Sequence, residues 1–199
     1  MRADLTELVL IVDRSGSMEN MRDETIVMVN TVVAEQLANG QELLDLTLAV
    51  FDTHVDVITN GMRATGAVVL NTENYKPNGY TALHDAVAEV ITVVGRRLAA
   101  RAEEDRPSAV VVAIITDGQE NASTRHTLSD VRRIIERQKE LYNWQFLFLG
   151  ANQDAWATGQ SMGLQVDDAK PWIATKQGMA DLGADLMKEI DVRKKRARN

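Results

Sequence analysis

The chain has 199 residues, enough for one domain with a proper buried core, and its 45% hydrophobic and 26% charged residues are the balance of a soluble globular protein. It contains no cysteine, which excludes disulfides, thiolate metal sites and cysteine nucleophiles and fits a reducing compartment. The net charge is −7, but with five of the 22 basic residues placed after position 192 the preceding chain carries −12, too acidic for a general phosphate binder, so no specific nucleic-acid partner is expected.

The first apolar run, Leu8–Val12, reads as a strand apolar on both faces. Asp4 and Glu7 precede it, so the start does not resemble a secretory signal. No later stretch approaches the roughly 18 apolar residues of a membrane span, and a cytoplasmic protein without a membrane partner is expected. Ile26, Val29, Val33 and Leu37 then share a helix face. Leu46–Phe51 and Val55–Thr59 alternate in polarity around the short link Asp52–His54, the pattern of a hairpin and hence of one antiparallel edge strand. From Asn60 to Gly79, glycines, asparagines and Pro77 indicate a long surface connection, with room for a short strand at Val68–Leu70.

A second helical stripe follows in Leu83, Val87, Val90, Val94 and Leu98, then a strand at Val110–Ile115. Leu128, Val131, Ile135, Gln138 and Leu141 form a third helix, Phe146–Leu149 another strand, and Met179, Leu182, Leu186 and Ile190 a fourth helix. Strands alternating with helices of this length predict a doubly wound α/β fold, a mostly parallel sheet with one antiparallel edge strand and helices on both faces. The spacing predicts a single domain over 1–192. The basic run Arg193, Lys194, Lys195, Arg196 and Arg198 reads as a solvated, disordered tail over 193–199.

Ligands of open α/β sheets bind at the carboxyl ends of the strands. The first strand runs into Asp13-Arg14-Ser15-Gly16-Ser17, a carboxylate followed by hydroxyls two and four residues on, with Gly16 allowing a tight turn. Another strand ends in Thr116-Asp117-Gly118, and between the two lies Gly79-Tyr80-Thr81 before a helix starting near Ala82. Thr81 is placed to be the N-cap of that helix, and its hydroxyl is also within reach of the sheet edge. Two carboxylates and three hydroxyls form an oxygen-only donor set, which suits Mg²⁺, Mn²⁺ or Ca²⁺ rather than zinc or copper.

These three elements, in this order, resemble the metal-ion-dependent adhesion site (MIDAS) of von Willebrand factor type A (vWA) domains. Asp13-x-Ser15-x-Ser17 is a weak motif alone; with Thr81 of Gly-Tyr-Thr and Asp117 of Thr-Asp-Gly it becomes specific. The likeness runs from Leu8 to about Gly163. It implies a six-stranded, Rossmann-like, mostly parallel sheet, whose last strand is hard to place here, Leu164–Val166 being the candidate. It also implies that Ser15, Ser17 and Thr81 ligate an ion through hydroxyls, and Asp13 and Asp117 directly or through water. The implied function is metal-dependent protein binding, with a Glu or Asp of a protein partner completing the ion's coordination, rather than an enzyme, and membership in a larger cytoplasmic complex.

The bland readings are turn formers for Asp13 and Ser15 and a plain cap for Thr81. They account for each residue but not for the coincidence of all five. His84 reads as a rim residue of the helix's first turn, Glu120 and Asn121 as loop polars overlooking the ion that either shape partner specificity or are ordinary, the second being favoured, and Trp144, Trp156 and Trp172 as core or edge packing. The alternative function is a Mg²⁺-dependent phosphohydrolase or phosphotransferase with Asp13 as nucleophile. Against it, the chain has neither GxxxxGK nor GxGxxG, Ser15 stands where dehalogenase-type enzymes carry a second aspartate, and Lys76 is the only lysine before Lys139.

Overall fold

The structure, a computed structural model, describes residues 1–38, 43–151 and 154–198. Its sheet has six strands: β1 (Arg2–Asp13), β2 (Leu43–Phe51), β3 (Val55–Arg63), β4 (Pro107–Thr116), β5 (Gln145–Ala151) and β6 (Ala169–Trp172). They lie in the order β3-β2-β1-β4-β5-β6. Every neighbouring pair is parallel except β2 with β3, the antiparallel hairpin expected from the Asp52–His54 link. Five α-helices cover the sheet: α1 (Arg22–Ala38), α2 (Leu83–Ala99), α3 (Leu128–Tyr142), α4 (Ala155–Ser161) and α5 (Lys176–Arg198).

Side chains alternate across a strand, so the continuous apolar runs of the central strands feed two cores at once. Leu8, Leu10 and Val12 of β1, with Val111, Ala113 and Ile115 of β4, pack under α1 and α5. Val9 and Ile11, with Val112 and Ile114, face α2, α3 and α4. All five residues from Leu8 to Val12 are fully buried, and each such side chain stabilises the fold by roughly 1.5–3 kcal/mol relative to exposure. The chain winds outward from β1 in both directions, so the strand order reverses between β1 and β4. There the helices leave opposite faces and open a crevice at the strand ends.

Several features differ from the sequence-based reading. The last strand is Ala169–Trp172, not Leu164–Val166; Leu164 is a core residue under the α2 side and Val166 starts a 3₁₀ turn. Pro171 disguised this strand, and it is tolerated because β6 is an edge, where one missing ladder donor costs little. The helix α4 was overlooked because it is a single short segment whose buried positions are Ala155 and Gly159. A β-carbon on Gly159 would lie 2.7 Å from that of Ala169, so smallness rather than an apolar stripe lets this helix sit on β6. In α3, Val131 and Ile135 are buried, but Leu141 is largely exposed.

The basic run expected as a disordered tail lies in α5, which continues to Arg198. Arg193 is 1% exposed. Its guanidinium donates to the backbone oxygens of Phe146 (2.9 Å) and Asp167 (3.0 Å) and pairs with Asp168 and Glu189. Arg198 donates to Thr6 Oγ1 at 2.9 Å. Apart from Glu189, one turn earlier on the same helix, these acceptors come from distant parts of the chain, so the run looks solvated until the fold supplies them. Among the described residues no helix is long and apolar enough to cross a membrane.

Candidate metal centre

The crevice between β1 and β4 is where the chemistry-bearing residues meet. Asp13 ends β1 and is fully buried, with Ser15 and Thr81 at 2% and 3% exposure. The Ser15 amide donates to Asp13 Oδ1 (2.7 Å), which closes the turn. The hydroxyls of Ser15 and Ser17 lie 3.1 Å apart, and Ser17 Oγ donates to Asp117 Oδ1 at 2.6 Å. From β4, Thr116 Oγ1 donates to Asp13 Oδ2 at 2.5 Å. The Arg14 guanidinium is engaged by Asp52 (2.9 Å) and Asp56 (2.7 Å).

The connection after β3 supplies the third wall. Asn30 on α1 clamps Leu70 through both its amide and its carbonyl, which brings Tyr75 into the core, where its hydroxyl donates to the Asp13 carbonyl at 2.6 Å. The Asn78 amide then donates to Arg14 O, and Gly79 O accepts from the Gly16 amide at 3.2 Å. Gly79 has φ +70°, and a β-carbon there would come within 2.8 Å of Thr53 Oγ1, so this close turn needs glycine. No strand forms within this connection beyond Arg63.

Thr81 departs from its expected role as a cap. The position before α2 is taken by Ala82, which offers no side-chain cap. Glu120 Oε2 instead accepts from the His84 amide (2.9 Å) and Ser123 Oγ from the Asp85 amide (3.0 Å). The Thr81 hydroxyl is therefore left for the crevice. It lies 2.8 Å, and Asp13 Oδ2 3.7 Å, from the point a β-carbon on Gly118 would occupy.

All five expected donors thus converge on one crevice. Burial pushes the Asp13 carboxyl up to about 6, opposed by the hydrogen bonds from Thr116 and Ser15, and burial raises Asp117 as well. Among the described residues no lysine or arginine forms an ion pair with either carboxylate. Two desolvated acids without a basic partner are compensated well by a cation, and the all-oxygen donor set fits a hard divalent ion. Beside them a groove of about 440 Å³ opens between Ser17, Met21 and Asp117 on one side and Thr175 and Lys176 on the other.

Asp85, Glu89 and His126 form another cluster with metal-ligand spacing. Arg125 already supplies its positive charge by pairing with Asp85 and Glu89, and Asp85 accepts from the amides of Thr124, Arg125 and His126. This cluster staples the loop after β4 to α2. The His84 ring lies 3.7 Å from Glu120, on the rim. Trp144 and Trp172 are buried and Trp156 is about half exposed. Trp172 Nε1 donates to Thr116 O and Leu149 O (3.2 Å each), fastening β6 beside the crevice. Sequence reasoning missed Tyr75, Thr116 and Asn121 as supports. Only Thr116 carried a local signal, its place next to Asp117.

A six-stranded, mostly parallel sheet of this order, with one antiparallel edge and a serine turn after its first strand, defines a vWA domain. The chain belongs to the family of VWA domain containing CoxE-like proteins, whose model matches residues 2–170. Solved structures of similar fold include the vWF domain of the type V pili tip protein Mfa5 from Porphyromonas gingivalis (9% identity, TM-score 0.65, 94% of this chain and 95% of that one). The PilB minor pilin from Streptococcus sanguinis is also similar (12%, TM-score 0.60, 93% of this chain and 61% of that one). So is proximal thread matrix protein 1 from the mussel byssus, with a zinc-occupied MIDAS motif (14%, TM-score 0.64, 92% of this chain and 47% of that one). The chain therefore spans less than two thirds of the pilin and less than half of the thread matrix protein. At these identities the likeness is one of fold. A search of curated proteins finds no match.

Proposed function

We propose that this chain is a divalent-metal-dependent protein-binding module, not an enzyme. Asp13, Ser15, Ser17, Thr81 and Asp117 would hold Mg²⁺, with Mn²⁺ or Ca²⁺ able to take its place, and an acidic side chain of a partner protein would complete the coordination. The observation that carries this reading is the convergence of five oxygen donors, two of them carboxylates without a basic partner, Asp13 fully buried and Asp117 partly so, at the open end of the crevice. The bound ion would supply an under-neutralised positive charge facing solvent, which attracts a carboxylate. The chain's own residues fix the donors: Thr116 and the Ser15 amide orient Asp13, and Ser17 ties the β1 turn to Asp117. vWA domains generally bind protein partners, and the zinc-occupied motif of the thread matrix protein supports metal binding in this fold. A cytoplasmic location, resting on the cysteine-free composition, and membership in a larger complex, resting on the family likeness, complete the proposal.

The phosphotransfer alternative gains no observation of its own. Lys76, the one lysine before Lys139, is exposed and paired with Glu73.

The test is capture of partners from lysate by the immobilised chain, with Mg²⁺ and with EDTA, beside calorimetric titration of Mg²⁺ into the wild type and Asp117→Ala. Expected are a partner released by chelator and heat of binding lost in the variant. Equal Mg²⁺ affinity in both proteins would sink the assignment of the site.

A further inference from the structure

The loop after β4 does more than carry Asp117. Asn121 grips the main chain of Thr81 at both of its polar groups. Its side-chain Oδ1 accepts from the Thr81 amide at 2.8 Å, and its own amide donates to the Thr81 carbonyl at 3.0 Å. One residue further back, Glu120 accepts from the His84 amide, and two residues on, Ser123 accepts from the Asp85 amide. The loop thereby takes over the capping that Ala82 cannot provide. Thr81 is relieved of that duty, almost wholly buried, and held at both ends of its residue. Its hydroxyl is left directed at the space over Gly118, beside Asp13.

We propose that Asn121 is a positioning residue for the metal centre, a two-point clamp that sets the Thr81 hydroxyl and couples it to Asp117, four residues away on the same loop. The proposal rests on the metal reading above and deepens it. A hydrogen bond that fixes a ligand's orientation is worth far more to a metal site than to the fold, because an ion such as Mg²⁺ demands near-ideal octahedral oxygen geometry. Asn121 is itself solvent-exposed, so truncating it leaves no cavity in either core. Its loss should therefore be felt in ion affinity rather than in folding.

The experiment compares wild type, Asn121→Ala and Asn121→Asp. Mn²⁺ affinity is read by calorimetry and by the electron paramagnetic resonance of free Mn²⁺, and thermal melts are taken in EDTA. Asn121→Ala is expected to bind Mn²⁺ roughly ten- to hundredfold more weakly, the range seen when supports of metal ligands are removed, with a metal-free melting point within a few degrees of wild type. Asn121→Asp keeps the acceptor and is expected to restore affinity to the wild-type value or above. Should Asn121→Ala fail to fold, Asn121→Ser, whose hydroxyl is one atom shorter, is read in its place. Wild-type affinity in the alanine variant, or a melting-point loss without an affinity loss, overturns the clamp. Absence of Mn²⁺ binding by the wild type overturns the metal reading itself, and the clamp with it.

Discussion

Replacing Gly118 by alanine tests the site with one carbon atom. The backbone at Gly118 lies outside the left-handed region, so alanine is accommodated there without strain. Its β-carbon, however, would stand 2.8 Å from Thr81 Oγ1, whereas ordinary contact begins near 3.4 Å. The hydroxyl must retreat by about 0.6 Å, while a hard ion tolerates about ±0.2 Å in its oxygen distances. The displaced donor is lost to the ion, while Asp13 Oδ2, 3.7 Å from the added methyl, stays in ordinary contact. Mg²⁺ affinity is expected to fall at least tenfold, about 1.4 kcal/mol. The assay is calorimetric titration with Mg²⁺, paired with a melt in EDTA in which the variant stays within a few degrees of wild type. Affinity within twofold of wild type would refute the claim that Thr81 faces the ion across the space above Gly118.

Two further predictions concern the scaffold. Glu7 is fully buried and its Oε1 accepts from Arg97 at 2.7 Å, so Arg97→Met should cost about 3–5 kcal/mol by stranding that carboxylate. Burial holds the Glu7 carboxyl above its ordinary value of 4.5, with Arg97 pulling the other way. The folded state therefore binds the proton more readily than the unfolded one, and Glu7's contribution worsens as pH rises past that value. Urea melts should show a smaller Arg97→Met deficit at pH 4 than at pH 7, and equal deficits would contradict it. Asp85 behaves oppositely. Burial alone would raise its carboxyl, but the amides of Thr124, His126 and Arg125 and the His126 ring outweigh that and hold it below 3.8. Its stabilisation is present above that pH and lost as acid is added below it. Asp85→Ala should cost roughly 2–3 kcal/mol and speed hydrogen exchange at residues 124–126. Unchanged protection there would show that the staple is not needed.

The sequence was readable where a local pattern repeats the local physics. Leu8–Val12 and Val110–Ile115 are apolar on both faces because helices cover both faces, and the stripes of α1 and α2 match the surfaces they bury. β6 and α4 escaped notice because each is short. One tolerates proline as an edge strand, and the other docks through Ala155 and Gly159 rather than through large apolar side chains. The five candidate donors were legible because each follows a strand or precedes a helix within a recognisable motif.

The amino-acid sequence by itself determined the alternation of strands and helices and the place of the five candidate donors at strand ends and a helix start, since these depend on periodicity and on residues next to each other in the chain. The tertiary structure alone decided which polar groups hold those donors still. Thr81 proves not to cap α2, because Glu120 and Ser123 reach that helix from 36 and 38 residues away. Tyr75 secures Asp13 across 62 residues, and Arg193 finds its acceptor across 47. Hydrogen bonds of that span leave no periodic trace in a sequence. They arise when the sheet and its covering helices bring remote loops to one edge, and folding satisfies each buried polar group with whatever partner the topology places nearby.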